Sequence, residues 1–231
     1  MPQLLDNSTR NRNVRWLYTG SLVVSLIAAF INFQNAQFFD SFSILSGDIM
    51  EAESKIQSFQ MIELVQAAFS ITGIILFLVW LYRSYQNADE FDSEHTTTSP
   101  GWAVGGFFIP FYNLYAGYKA IKETWSLHHE KSQDASKNEG ASPITTPSMA
   151  LPVIWWSLFL ITSILSNLSS RIFDESDYIT GTPYTMHVVE HLLYATYLVV
   201  ALVMLKKLDQ METDTYALHH QQDLIDHLTA E

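Results

Sequence analysis

Three windows of the chain carry no charged residue: Trp16 to Phe39, Leu64 to Tyr82 and Gly140 to Ser170. A bilayer core about 30 Å thick is crossed by roughly 20 apolar residues of helix. The apolar runs in and beside these windows predict spans at about Trp16–Gln37, Met61–Tyr82 and Leu151–Asn167. A fourth span, at about Thr185–Leu205, holds one glutamate and two histidines in an otherwise apolar run. A further stretch, "SPGWAVGGFFIPFYNLYAGYKAIKETW" from Ser99 to Trp125, is uncharged from Gly101 to Tyr118 but has Pro110 in its middle. Proline lacks the helical N–H donor and clashes with the preceding turn, so it breaks or starts a helix there. From Phe111 on, Phe111, Leu114, Tyr115, Tyr118, Ile121 and Trp125 recur at helical spacing. Asn113, Ala116, Lys119 and Glu123 fall toward the other side. That pattern predicts an amphipathic or re-entrant segment at the membrane surface, aromatics at headgroup depth.

Basic residues decide whether this segment crosses. If it does not, Arg10, Arg12, Arg15, Arg83, Lys119, Lys122, Lys131, Lys137, Lys206 and Lys207 share one side, leaving only Lys55 and Arg171 opposite. The positive-inside rule makes the richer side cytoplasmic. A fifth span would destroy this asymmetry. The expected fold is therefore all-α: a polytopic membrane helical bundle of four transmembrane helices, with the amphipathic segment on the cytoplasmic side. Residues 1–15 form a cytoplasmic N-terminus, and 16–127 hold the first two spans and the aromatic Gly/Pro segment. Residues 128–149 form a disordered cytoplasmic linker, 150–207 the last two spans and 208–231 a cytoplasmic tail. The expected location is a bacterial cytoplasmic (inner) membrane, with both termini inside.

Composition sharpens this. Only 16% of residues are charged, against about 25% in an ordinary soluble domain. A net charge of -12 leaves no basic stripe to neutralise phosphates, so nucleic acid is not an expected partner. The absence of cysteine excludes disulfides, thiolate metal sites and a cysteine nucleophile. Arg10, Arg12 and Arg15 before an apolar run imitate a secretory signal, but the run is too long and further spans follow; it reads as a retained helix.

The sharpest chemical candidate is "HVVEH", His187, Glu190 and His191. On a helix these positions share a face, and the order H-x-x-E-H is that of inverted zinc hydrolases. A third ligand is needed, and Glu63 qualifies only if the second and fourth spans meet. The plainer reading is a polar end turn of a helix. Other polar residues fall at the same level: Asn32 and Asn35 on the first span, Glu63 and Gln66 on the second, Ser166 and Asn167 on the third. Ionisable groups at membrane depth usually face a bundle interior or a cavity, so this layer predicts an outward-facing vestibule. The explanation favoured from the sequence is the plainer one, that helix ends tolerate polar residues cheaply. Trp155 and Trp156, at a span end, read as interfacial anchors. No Walker loop, dinucleotide fingerprint or nucleophile elbow is present.

A longer pattern runs through Trp80, Tyr82, Arg83 and Asn87, then Pro100, Gly101, Trp102, Val104 and Gly105. It continues in Phe108, Ile109, Pro110, Asn113 and Leu114 and closes with Glu123 and Trp125. In these residues, about a fifth of the chain, the sequence resembles the bacterial membrane family catalogued as domain of unknown function 4328. Gly106 and Phe107 stand where that family often has a tryptophan pair, and Gly117 where it often has proline. Both departures predict a looser segment. The resemblance implies a membrane protein and brings no activity with it.

The function expected from these features is that of a non-enzymatic scaffold or a partner- or lipid-binding membrane protein. Its partners would be the bilayer itself and either further copies of the chain or another membrane protein. A small transporter or channel using the polar layer is the alternative, and a metal-dependent hydrolase at His187, Glu190 and His191 is a second. No cofactor is expected, with zinc reserved for the last case.

Overall fold

The computed structural model describes residues 5–42, 49–94, 96–138 and 148–229. Among them there is no strand. The fold is an all-α helical bundle, with six helices among the described residues: α1 (Ser8–Ser41), α2 (Ile49–Phe91), α3 (Pro100–Gly105), α4 (Asn113–Asn138), α5 (Ala150–Ile172) and α6 (Gly181–Thr229). Two short 3₁₀ turns, Gly106–Phe108 and Glu175–Ile179, join them. Prolines sit where a helix tolerates them: Pro100 begins α3, and Pro152 and Pro183 lie in the first turns of α5 and α6, where no helical N–H is needed.

Four stretches, α1, α2, α5 and Gly181–Ala217 of α6, are long and apolar enough to cross a membrane. Their polarity is inverted relative to a water-soluble bundle. Phe30, Ile71 and Ile164 are each more than 60% exposed, while Ser21, Ser25, Asn32, Gln66 and His191 are buried. Exposed apolar faces on every long helix, with polar side chains inside, suit hydrocarbon as solvent and not water. The chain is an integral membrane protein.

Contacts divide it into two compact units: Met1–Arg15, Leu76–Trp156 and Val203–Glu231 form the first, and Trp16–Ile75 and Ser157–Leu202 the second. The first has an aromatic core. Trp80, Leu81, Tyr85, Ile121, Trp125, Trp155, Leu205 and Leu208 are fully or almost fully buried. Phe77 lies 5.5 Å from Trp80 and 5.7 Å from Trp155, ring centre to ring centre. Asparagines tie the start of the chain to this core through backbone carbonyls. Asn7 Nδ2 donates to Trp80 O at 3.3 Å, and Asn11 Nδ2 to Leu205 O at 3.1 Å.

Several expectations are corrected here. The amphipathic stripe does not turn all its aromatics outward: Ala116, Ile121, Trp125 and Leu127 of α4 are buried in protein, whereas Phe111, Leu114 and Tyr115 are largely exposed. An apolar stripe fits a protein core as well as a headgroup layer, and here the core takes it. Trp155 and Trp156 are likewise buried, and Trp156 Nε1 donates to Leu114 O at 2.7 Å. The departures from the family pattern tighten the segment where they were expected to loosen it. A Cβ on Gly117 would fall on the Trp156 ring and 2.6 Å from Phe107 Cζ, and one on Gly106 would lie 2.7 Å from the Tyr112 ring. α4 also runs to Asn138, into the stretch 128–149 expected as a disordered linker. No glycine or proline interrupts 118–138, and His128 is buried. Residues 139–147, the rest of that expectation, lie outside the described residues.

The stretch 101–118 is not one helix. It breaks after Phe108 and turns through Phe111, whose φ of 64° is left-handed, an outlier for a bulky side chain. Tyr112 N–H closes the turn on Pro110 O at 2.8 Å.

In the second unit, α2 begins twelve residues before the predicted span. Ile49–Gln60 is rich in helix formers, and its Ala52, Ile56 and Phe59 join Phe38, Phe39 and Tyr184 in one apolar cluster. Phe39 stacks on Tyr184 at 5.1 Å. Gly20 and Gly73 leave room for the rings of Phe69 and Tyr18, respectively, which brings α1 and α2 close enough for Ser21 to meet Gln66.

Two outcomes follow for the first unit. Gly117→Ala adds a methyl where rings already sit, and a cost of about 1–3 kcal/mol is expected. Gly105→Ala, with nothing within 4 Å of its Cβ, is expected to be neutral or stabilising by up to about 1 kcal/mol. Unfolding midpoints in mixed micelles compare the two. The second outcome concerns His128. Its Nδ1 lies 3.2 Å from Thr215 Oγ1, whose own hydrogen goes to Met211 O, and its Nε2 is buried without a partner. Burial pushes this imidazole down to about 4 from 6.5. The unfolded chain therefore takes up a proton that the fold refuses, so stability falls as pH drops from 6.5 toward 4. The His128 contribution is about 3 kcal/mol, read as the difference between wild-type and His128→Gln stability across that range.

Candidate functional site

Helical spacing aligns a polar seam in the second unit. Ser21, Ser25 and Asn32 follow one face of α1; Glu63, Gln66 and Ser70 one face of α2; and His187, Glu190, His191 and Tyr194 one face of α6. The joining contact is His191 Nε2 to Glu63 Oε1 at 2.8 Å. A carboxylate only accepts, so the ring hydrogen is on Nε2. Asn32 Nδ2 donates to the same Glu63 oxygen at 3.4 Å and to Ala28 O at 3.0 Å. Ser25 Oγ donates to His191 O at 2.9 Å, fixing that turn of α6 from behind. Deeper in the unit, Gln66 Nε2 donates to Ser21 Oγ at 3.1 Å and to Ser70 Oγ at 3.4 Å, and Ser70 meets Tyr194 OH at 3.2 Å.

His187 belongs to a second group. Its Nδ1 lies 3.2 Å from Glu190 Oε2 and its Nε2 3.0 Å from Tyr178 OH. Tyr178 is delivered by the 3₁₀ turn Glu175–Ile179, which a reciprocal Asp174–Asp177 capping box closes. Burial, and then the nearby charges of Glu63, Glu190 and Asp177, raise the Tyr178 phenol. It therefore stays protonated and donates to Nε2, which leaves Nδ1–H for Glu190. The two imidazoles thus serve different partners. Among the described residues no group of three or more His, Asp or Glu side chains is arranged to hold a metal ion.

A cavity of about 390 Å³ opens beside the seam. Glu63, Gln66, Glu190, His191 and Asn167 line it, together with Ser70, Thr162, Ser163, Ser166, Tyr194 and Tyr197. Asn32 stands behind Glu63 and outside the lining, as does His187. Asn35 is apart from it, donating to Lys55 O at 3.2 Å. Tyr18, Ser70, Thr162, Ser163, Tyr178, Tyr194 and Tyr197 were not anticipated. The α5 members were open to it: Thr162, Ser163, Ser166 and Asn167 repeat at helical spacing, with the apolar Ile161, Ile164 and Leu168 beside them outside the lining. Tyr178, on a five-residue turn, gives no periodic signal.

The longer sequence pattern lies mostly in the first unit, and there its residues fasten the fold. Asn87 grips the backbone of Leu5 from both sides, accepting its N–H at 3.1 Å and donating to its O at 2.8 Å, and also donates to Glu212 at 3.2 Å. Glu123 accepts from Thr97 Oγ1 at 2.6 Å and from Tyr85 OH, which pins the connection between α2 and α3. Arg83 donates to Gln86, Trp125 is fully buried, and Pro110 turns the chain toward Asn113, the first residue of α4. Gly101 and Gly105 have open space where a Cβ would be. Tyr82 and Trp102 face outward. These residues build a scaffold and bring no reactive groups to one point.

No curated protein and no solved structure matches the chain. The sequence profile described as Domain of unknown function (DUF4328) matches residues 45–210. That match covers α2 to the body of α6, including the Asn87 and Glu123 fastenings and the Glu63–His191 seam, and the chain belongs to this family.

Proposed function

We propose that this is a non-enzymatic membrane protein that receives a small polar solute in the cavity of its second unit, the vestibule of a binding or transport protein. One observation carries the reading: polar side chains of α2, α5 and α6 face a common 390 Å³ space within the stretches that match a membrane core. Along α5 the polar lining runs from Asn167 back to Thr162, and along α2 from Glu63 to Ser70, about 7.5 Å and about 10 Å of helix at 1.5 Å per residue. Polar residues tolerated only because helix ends are wet would stop after a turn. A polar cavity of this depth suits a hydrated ligand site.

The ten-to-two division of basic residues supports four crossings of a bacterial cytoplasmic membrane, with both termini inside and the cavity facing outward. The break at Phe111 agrees with a segment that does not cross. Phe108 and Phe111 are 73% and 86% exposed, and this apolar turn suits insertion at the headgroup layer. Membrane contact by that turn accompanies the proposed function and does not replace it.

The chain has no cysteine, so one introduced thiol reports alone. In oriented vesicles, Thr162→Cys and Ser166→Cys are expected to react with an impermeant methanethiosulfonate added from outside. Ile161→Cys and Ile164→Cys, on the apolar face, are expected to stay unmodified, and Ser8→Cys to react only after the membrane is opened. Equal reactivity on both faces of α5, or none at Ser166→Cys, would overturn the vestibule.

A further inference from the structure

The first unit presents a face that its own core does not use. Along α4, Leu114, Tyr115, Tyr118, Lys119 and Lys122 follow one another at intervals of three and four residues and so share a side. Ala116, Ala120, Ile121 and Thr124, on the other side, are buried. Phe111, in the turn just before the helix, is more than half exposed, as are Leu114 and Tyr115, and Lys122 is exposed too. The face therefore runs from apolar through tyrosine to cationic. Among the described residues neither lysine has a salt-bridge partner. Lys122 Nζ lies 5.8 Å from the centre of the Tyr118 ring, and the neighbouring Glu123 is engaged with Thr97 and Tyr85.

Packing within the unit sets the depth of this face. The Phe107 ring lies 6.3 Å from Phe77 and 6.1 Å from Trp156, and Leu114 O accepts from Trp156 Nε1 at 2.7 Å. Phe77 stands five residues inside the Tyr82 end of its predicted span, and Trp156 five inside the Leu151 end of its own. At 1.5 Å per residue that is about 7.5 Å into the apolar layer, within the roughly 5–10 Å at which interfacial helices bury their apolar side. Lys119 follows Phe111 by eight residues, at most about 12 Å along a helix. Its flexible stem thus carries the ammonium to the headgroup layer, about 5–7 Å thick on each side. A zwitterionic headgroup brings its own cation to its phosphate. An anionic one does not, and two lysines a turn apart supply the missing charge.

We infer that the exposed face of α4 binds an anionic phospholipid, with Lys119 and Lys122 pairing with its headgroup and Phe111 and Leu114 lying against its acyl chains. This site is separate from the cavity of the second unit and does not depend on the solute reading.

The experiment places the full chain in nanodiscs of phosphatidylcholine. The chain has no cysteine, so a bimane label on Leu114→Cys reports alone, with Tyr115→Cys as a second reporter. Chain-brominated phosphatidylglycerol or chain-brominated phosphatidylcholine is titrated in, and bimane quenching is read. Half-maximal quenching is expected at about fivefold lower mole fraction of the anionic lipid, the preference that one surface lysine supplies. In Lys119→Gln/Lys122→Gln the two curves are expected to coincide, with quenching by the brominated phosphatidylcholine unchanged, and 0.5 M sodium chloride is expected to narrow the gap. Coincident curves with both lysines present, or a gap that survives their removal, overturn the anionic site. Quenching by neither lipid at either reporter would mean that protein covers this face, and overturns it as well.

Discussion

A polar side chain at membrane depth has no water to turn to, so it must find its partner inside the protein. Most of the second unit follows from that constraint. Ser21, Asn32, Glu63, Gln66, Ser70, His191 and Tyr194 lie on three separate helices, and the contacts Asn32–Glu63, Ser21–Gln66, Ser70–Tyr194 and Glu63–His191 each fix one helix against another. Apolar packing contributes less direction here, because lipid is as apolar as the side chains it touches. The helix faces left over are Val, Ile, Leu and Phe, and they stay exposed. Glu63 to His191 is the contact with most at stake, since it joins α2 to α6 through a charge-assisted hydrogen bond at 2.8 Å.

The first unit meets the same constraint by another route. Its core is aromatic and apolar, and its buried amides reach mainly for backbone. Asn7, Asn11, Asn87 and Trp156 each bond a main-chain atom distant in sequence. A side-chain amide matched to a carbonyl sets register as well as contact, so these bonds position the chain start and α4 against long helices that would otherwise slide. The family pattern is concentrated on such fastenings.

The membrane class was legible because hydrocarbon imposes length and the exclusion of charge, and both are visible in a single sequence. The Glu63–His191 contact was not, since nothing in periodicity says which helix faces which, and the contact of His187 with Tyr178 depends on a turn that the spacing does not reveal. The burial of Trp125, Trp155 and Trp156 was misread for a physical reason: an aromatic stripe has the same spacing whether it meets headgroups or a protein core. His128 looked like part of a polar linker because one buried histidine leaves no pattern. The polar face of α5 was available in the spacing of Thr162, Ser166 and Asn167 and needed only its shallow neighbours to be read as a stripe.

The central claim is that polar pairing between helices, above all Glu63 with His191, organises the second unit. The direct test is a double-mutant cycle on unfolding free energy in mixed micelles, using wild type, Glu63→Gln, His191→Ala and the double variant. The account predicts a coupling of about 1.5–3 kcal/mol, as for a hydrogen bond to a charged group. Strictly additive single effects would contradict it, and would mean that the two side chains lie near each other without holding anything together.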